Sequence, residues 1–370
     1  FTSRRAIITF RIRSAQKAFV PTDVGTLRSE LGHFIRTSVG AAHIQERRTA
    51  MPPSVIMTYP VRLIDAEEKE RLQALYEPGL LYSRKSEIYG CCVKLLTDSD
   101  DVRRMWDDNF YAMSENVRSH GRLLLVTDAK EEGGVRYDPL TKTAFAFNMT
   151  YYGWIKSVAL AVAGDVLEDE HRIHSVHGAA IDVGGIGVSL IAPPKTGKTT
   201  HAWGLLRLPQ ARLVTDDWYF VRLSEKGHLA FASEKNCYVE GDIGTIWKEY
   251  APLVAKARLD KDERAILNVR WIVGPTGVVP ITTLRHILLL KRDSSDKSIV
   301  AEMTPREALD YLEANDFCNP HQLVRDERKR RLRRRFFSDL LSGTDIHMIN
   351  TVLPPEQTQQ SIREVVLGRR

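Results

Sequence analysis

The run Ile191-Ala192-Pro193-Pro194-Lys195-Thr196-Gly197-Lys198-Thr199-Thr200 contains the residue types that grip phosphate. The phosphate-loop pattern G-x-x-x-x-G-K-[ST] is met at its last three positions by Gly197, Lys198 and Thr199, with Ala192 in place of the first glycine. Pro193 and Pro194 have no N–H to offer, so the cradle must come from the amides of residues 195–200. A helix starting there adds the positive end of its dipole. Gly197 lets the backbone approach an anion closely. Lys198 then reaches β/γ oxygens as a point charge, and the Thr199 hydroxyl suits Mg²⁺. Lys195, Thr196 and Thr200 complete the nucleotide-binding run.

Two adjacent acids, Asp216 and Asp217, end the next apolar run, Arg212–Thr215. In phosphoryl transfer one such acid holds Mg²⁺ and the other takes the proton of the attacking hydroxyl. Upstream, the run His174-Ser175-Val176-His177-Gly178 offers an imidazole, His177, at the start of a strand. A lone histidine has no assigned role by itself; beside these two motifs it is a candidate for phosphate contact.

These groups need strands that end together and a helix that begins at the loop. The apolar stretch Gly187–Ile191 reads as a strand, and His201–Leu208 as the following helix. Further short strands are expected at Ala179–Val183, Arg212–Thr215, Trp218–Leu223, Leu229–Ala232, Val269–Val273, Leu284–Leu290 and His347–Val352. Thr304-Pro305-Arg306-Glu307 spells a capping box with proline at the first helical position, and Pro355 opens a last helix reaching Leu367. Before this region, Ala66–Tyr76, Asp101–Met113 and Trp154–Ala163 read as helices. Glu87–Leu96, Arg122–Thr127 and an alternating, half-buried Thr141–Met149 read as strands. The acidic stretch Asp165–Glu170 marks a junction. The expected organisation is an extension over 1–50, an N-terminal α/β domain over 51–168 and a P-loop domain with a mixed sheet and C-terminal helices over 169–370.

Composition narrows the class. A chain of 370 residues, 43% hydrophobic, can bury a substantial core. The formal net charge of +6 is concentrated in residues 1–50 and in the block Arg325–Arg335. That distribution is not a nucleic-acid footprint, and nucleic acid is not expected as a partner. Residues 1–50 resemble a mitochondrial transit peptide in composition, but an unstructured extension is the preferred reading. The four cysteines, Cys91, Cys92, Cys237 and Cys318, show no metal spacing and read as free thiols of a reducing compartment, so a cytoplasmic protein is expected. No apolar stretch has the length of a membrane span.

Taken in order, His177-Gly178, a strand–turn–strand, the loop and Leu213-Val214-Thr215-Asp216-Asp217 resemble the HPr kinase/phosphorylase family, part of a P-loop superfamily shared with phosphoenolpyruvate carboxykinases. The likeness covers about residues 170–225. It implies an ATP- and Mg²⁺-dependent kinase acting on a hydroxyl, usually a protein serine. It gives His177 and Lys198 contacts to phosphate, makes Thr199 a metal ligand, and has Asp216 and Asp217 supply the base and further metal contact. The family's Arg-Gly-Leu-Gly signature is absent. Its place is taken by Glu234-Lys235-Asn236-Cys237-Tyr238-Val239-Glu240-Gly241, from which Glu234 or Glu240 would be the second metal ligand. The Lys, His and Asp set that precedes the carboxykinase P-loop is not present either.

Other candidates have simpler readings. Arg270-Trp271 and Arg285-His286 flank apolar strands; Arg270 is expected in a surface ion pair, with neutralisation of phosphate charge as its other reading, and His321 in a structural turn. Leu332, Phe336 and Leu340 recur every four residues, which makes Arg325–Arg335 the solvated basic face of an amphipathic helix, with docking of an acidic protein partner or a nucleic acid as the other reading. The expectation is phosphoryl transfer from ATP to a protein or small-molecule hydroxyl. A nucleotide-responsive module without enzymatic activity is the alternative. Homo-oligomerisation is left open.

Overall fold

Twin β-sheets and one long helix between them organise the computed structural model, which describes residues 59–259, 264–267 and 275–368. The expected extension over 1–50, the strand Val269–Val273 and Arg270 lie outside the described residues.

The first sheet has seven strands. They are β1 (Val61–Leu63), β2 (Tyr82–Ile88), β3 (Cys91–Thr97), β4 (Tyr111–Ala112), β5 (Gly121–Val126), β6 (Gly134–Asp138) and β7 (Thr143–Phe147), in the order β1-β6-β7-β5-β3-β2-β4. Two helices flank it: α1 (Ala66–Tyr76), capped by Asp65, and α2 (Asp100–Asn109), capped by Ser99. The single strand expected over Glu87–Leu96 is instead a hairpin, because Tyr89 and Gly90 both take positive φ (49° and 76°) and form its turn. β7 is buried on both faces and not half-buried. Its alternation of alanine and phenylalanine is one of size, not of polarity.

Helix α3 (Tyr152–His171) has 20 residues, more than the Trp154–Ala163 expected. It is buried nearly all round, as befits a helix packed between layers. Its Ile155, Val158 and Val162 share a core with Leu123 and Ala144 of the first sheet and with Trp218 and Phe220 of the second. The acidic stretch Asp165–Glu170 is therefore the last part of a helix, and residue 168 lies within it.

A second sheet of nine strands follows: β8 (His174–His177), β9 (Ala179–Val183), β10 (Ile186–Ile191), β11 (Ala211–Thr215), β12 (Trp218–Arg222), β13 (His228–Ala232), β17 (Ile281–Lys291), β18 (Val300–Glu302) and β19 (Asp345–Asn350). A small separate sheet holds β14 (Cys237–Glu240), β15 (Arg258–Leu259) and β16 (Arg264–Leu267). The fold is thus α/β with mixed sheets. Both β10 and β19 run parallel to β17, and β10 and β11 are each antiparallel to β9. Four strands therefore point the same way, and their carboxyl ends converge, the place where open α/β sheets bind ligands.

Helix α4 (Lys198–Leu205) leaves the end of β10. It starts three residues before the expected His201, because Gly197 adopts φ 96° as its cap. Later helices span Pro305–Ala314, with the Thr304–Glu307 capping box in place, Glu327–Ser342, and Pro355–Val366. No described helix is long and apolar enough to cross a membrane, and the four cysteines are free and buried.

The basic helix departs from its expected solvated face. Lys329 and Arg333, 1% and 2% exposed, turn inward. Lys329 pairs with Asp165 (2.7 Å), Glu168 (3.0 Å) and Asp169 (2.7 Å) at the end of α3, and Arg333 with Glu168 (3.4 Å) and the Ser175 carbonyl (2.9 Å). Lys142 and His174 join the cluster from the two sheets. Burial alone would raise the Glu168 carboxyl, but His174, Arg333 and Lys329 outweigh it and hold it at about 2. Removing one partner of such a buried cluster strands the rest, so Lys329→Met should cost about 3–5 kcal/mol in urea unfolding. Because the folded value of Glu168 is depressed, its contribution is complete above 4.5 and is lost as pH falls toward about 2. Glu168→Gln should flatten that acid limb of the stability profile.

Candidate functional site

A cleft of about 620 Å³ opens at the carboxyl ends of the four co-directional strands. β10 delivers Ala192 and the loop, β11 delivers Asp216 and Asp217, and β17 and β19 deliver Arg292 and Thr351. Its size falls within the range of small-molecule and cofactor sites.

The loop is braced from both sides. The Thr196 hydroxyl donates to Pro193 O (2.7 Å), and the Thr351 hydroxyl donates to Thr196 O (2.8 Å). Lys195 and Gly197 take φ of 63° and 96°, turning the chain so that α4 begins with no side-chain cap and no acid in its first turn. The amides at its start are open to an anion, with Lys195, Gly197, Lys198, Thr199 and Thr200 all on the cleft wall. Behind them, α4 is locked by Gln359 to His201 (3.0 Å), Arg363 to Gly204 O (3.1 Å) and Trp247 to Thr200 O (2.8 Å).

The adjacent acids part company. Asp216 turns toward α4, is 4% exposed, and accepts from the Trp203 ring N–H at 3.2 Å. Burial, with the neighbouring Asp217 charge, raises its carboxyl above the usual range. Asp217 turns the other way and gathers three donors. Its Oδ1 is 2.8 Å from Lys198 Nζ and 3.2 Å from His177 Nε2, and its Oδ2 is 2.8 Å from Lys156 Nζ. Burial would raise this carboxyl, yet Lys156 and Lys198 hold it well below the usual range. Gly178 makes the approach of β8 possible: its amide donates to Asp217 O (2.9 Å), and a Cβ there would lie 2.8 Å from Leu190 O.

Lys156 was not among the sequence candidates. It comes from α3, with its side chain 5% exposed, and also holds Glu234 at 2.9 Å; Glu234 in turn accepts from Asn109 (2.9 Å). Its signal was a single charge inside the otherwise apolar run Trp154–Ala163, a placement that demands a partner. Glu234 thus belongs to this buried network. Glu240 is exposed on the cleft wall.

Arg292 was also missed. It is exposed, donates to the Thr351 hydroxyl at 3.3 Å, and brings Nη2 to 3.9 Å from where a Cβ of Gly197 would stand. His321, expected in a structural turn, lines the cleft instead, 5.8 Å from the His177 ring and with Nδ1 3.1 Å from the Tyr59 hydroxyl. Burial, then the His177 charge, pushes it down to about 3, so it is neutral at physiological pH. Arg285 pairs with Asp345 at 2.9 Å on the surface.

No group of three or more His, Cys, Asp or Glu among the described residues could hold a metal ion. The donor set facing the loop is one hydroxyl, Thr199, with Asp216 and Glu240 on the same cleft wall. Such a set fits Mg²⁺ that arrives with a nucleotide and keeps phosphate and water ligands. It does not fit an ion caged by protein alone. Neither a protein-family model nor a curated protein matches this chain.

Lys156→Met would leave Asp217 and Glu234 facing each other without their shared cation. The variant should lose about 3 kcal/mol or more at pH 7. Glu234, already raised by burial, would lose its main cation and rise further, so the deficit should shrink as pH falls from 7 to 5 and this carboxyl takes up a proton. Urea unfolding at the two pH values checks both statements.

Proposed function

We propose that this chain is an ATP- and Mg²⁺-dependent phosphotransferase acting on a hydroxyl acceptor, a serine of a protein or a small molecule, with a P-loop domain of the HPr kinase and phosphoenolpyruvate carboxykinase type. The observation that carries this reading is the Asp217 carboxylate held between the P-loop lysine and His177 at the mouth of the cleft. A loop that only sensed nucleotide would not need a carboxylate placed there.

In this reading the amides of residues 195–200 and Lys198 hold the β- and γ-phosphates. Thr199 with Asp216 or Glu240 would hold Mg²⁺, which would supply neutralisation of phosphate charge. Arg292, at the loop's edge, is placed to contact the same oxygens. The acceptor oxygen attacks the γ-phosphorus, the bond to the β–γ bridging oxygen breaks, and ADP leaves. The acceptor proton passes to Asp217. As phosphate draws Lys198 away, Asp217 loses one of its cations and becomes a stronger base. Base strength is thereby coupled to nucleotide occupancy.

Incubation with γ-labelled ATP and a cell extract, followed by identification of the labelled product, tests the reading. Asp217→Asn should retain ATP binding but lose about 10²–10⁴-fold in transfer, and Lys198→Met should weaken binding itself. Unchanged transfer in Asp217→Asn would overturn the assignment of the base. ATP binding with no labelled product from any acceptor would favour a sensor.

A further inference from the structure

Asp316, Phe317 and Cys318 are consecutive non-glycine residues with φ of 50°, 52° and 51°. L-residues avoid this left-handed region because Cβ crowds the following carbonyl, and even single visits are uncommon. Such strain persists only where the surroundings over-determine it, and it collects at functional sites.

The surroundings here are dense. The Cys318 amide donates to Asn315 O (2.8 Å) and the Asn319 amide to Asp316 O (3.1 Å). Phe317, 4% exposed, stacks on Phe337 with centroids 5.4 Å apart. From outside, the Arg325 guanidinium spans the turn. Nη1 pairs with the Asp316 carboxylate, and Nη2 donates to the carbonyls of Asn319 (3.3 Å) and Pro320 (3.0 Å). Nε donates to Gln322 O (3.2 Å). A planar fork can serve these four acceptors together, whereas an ammonium cannot.

The turn presents one group to the site. The Cys318 carbonyl lies 2.7 Å from His177 Nδ1. A carbonyl only accepts, so that nitrogen carries a hydrogen and Nε2 is the one aimed at Asp217. The same turn leads directly into Pro320 and His321 on the cleft wall.

We propose that the left-handed turn Asp316–Cys318, clamped by Arg325, is a positioning device that fixes the orientation and Nδ1 hydrogen of His177 against Asp217. Arg325 is a positioning residue: it acts on the site through the turn and touches none of the cleft's phosphate-binding groups. Its effect on turnover rests on the phosphotransferase reading, but its effect on His177 does not.

The test is NMR of the histidine-labelled full chain, with the His177 imidazole signals assigned by their loss in His177→Gln. Wild type should show a solvent-protected Nδ1 proton. Arg325→Ala should lose it to solvent exchange and, if the chain transfers phosphate, reduce turnover on the order of 10²-fold with nucleotide Kd unchanged. Arg325→Lys, which keeps charge and fold, should be similarly deficient. Asp316→Asn, which tolerates positive φ and still accepts a hydrogen bond, should retain the protected proton. A melting curve confirms that each variant is folded. A folded Arg325→Ala or Arg325→Lys that keeps the wild-type His177 signal overturns the proposal. If wild type transfers no phosphate, the activity reading falls and the NMR comparison still decides this one.

Discussion

One carboxylate organises the cleft. Asp217 is in contact with Lys198 at the start of α4, with an imidazole from β8 and with a lysine from α3, three groups from separate parts of the chain. Its side chain is partly withdrawn from water, 29% exposed, and the charge and hydrogen bonds around it offset that desolvation. That arrangement ties the end of β11 to α3, to α4 and to β8 at once. The loop conformation, the close approach at Gly178 and the burial of Lys156 all serve the same meeting point.

The second sheet explains why the meeting occurs there. Its co-directional strands β10, β11, β17 and β19 end at one edge, so residues distant in the chain, from Ala192 to Thr351, share a wall. α3 adds a contribution from the other side. It buries apolar residues against both sheets and carries its few charges to its two ends. Lys156 goes to the cleft, and Asp165, Glu168 and Asp169 go to the basic helix. The acidic stretch and the basic block, which look like separate solvated features along the chain, are in large part each other's partners. That pairing holds the helix Glu327–Ser342 in place, and with it the Phe337 surface on which the Asp316–Cys318 turn is built.

Much was legible in the residue order. The strands around the loop appeared within two residues of expectation, apart from β17, which begins three residues early, because short apolar runs between glycine and acidic turns leave little choice of period. The Thr304 capping box and the Asp65 and Ser99 caps follow from local chemistry. The errors share a cause. Tyr89-Gly90 hid a hairpin inside one apolar run, and β7 mimicked an alternating strand although both of its faces are covered. The acidic end of α3 read as a linker because its partners on the basic helix, Lys329 and Arg333, lie more than 150 residues away.

The sequence by itself determined the run Ala192–Thr200 between strand and helix, the paired acids beyond it and an α/β fold, since each depends on residue type and near-neighbour spacing. It could not divide labour within the pair. Which of Asp216 and Asp217 faces the helix and which faces the cleft depends on how the chain turns after Thr215 and on what is packed on either side. Nor could it bring Lys156, Arg292 and His321 to the loop. Their distance from it along the chain is large, and only the convergence of strand ends and the burial of α3 makes it small. Charge balance in a cleft is a property of the assembled walls, so tertiary structure decided which carboxyl is raised, which is lowered and what surrounds each.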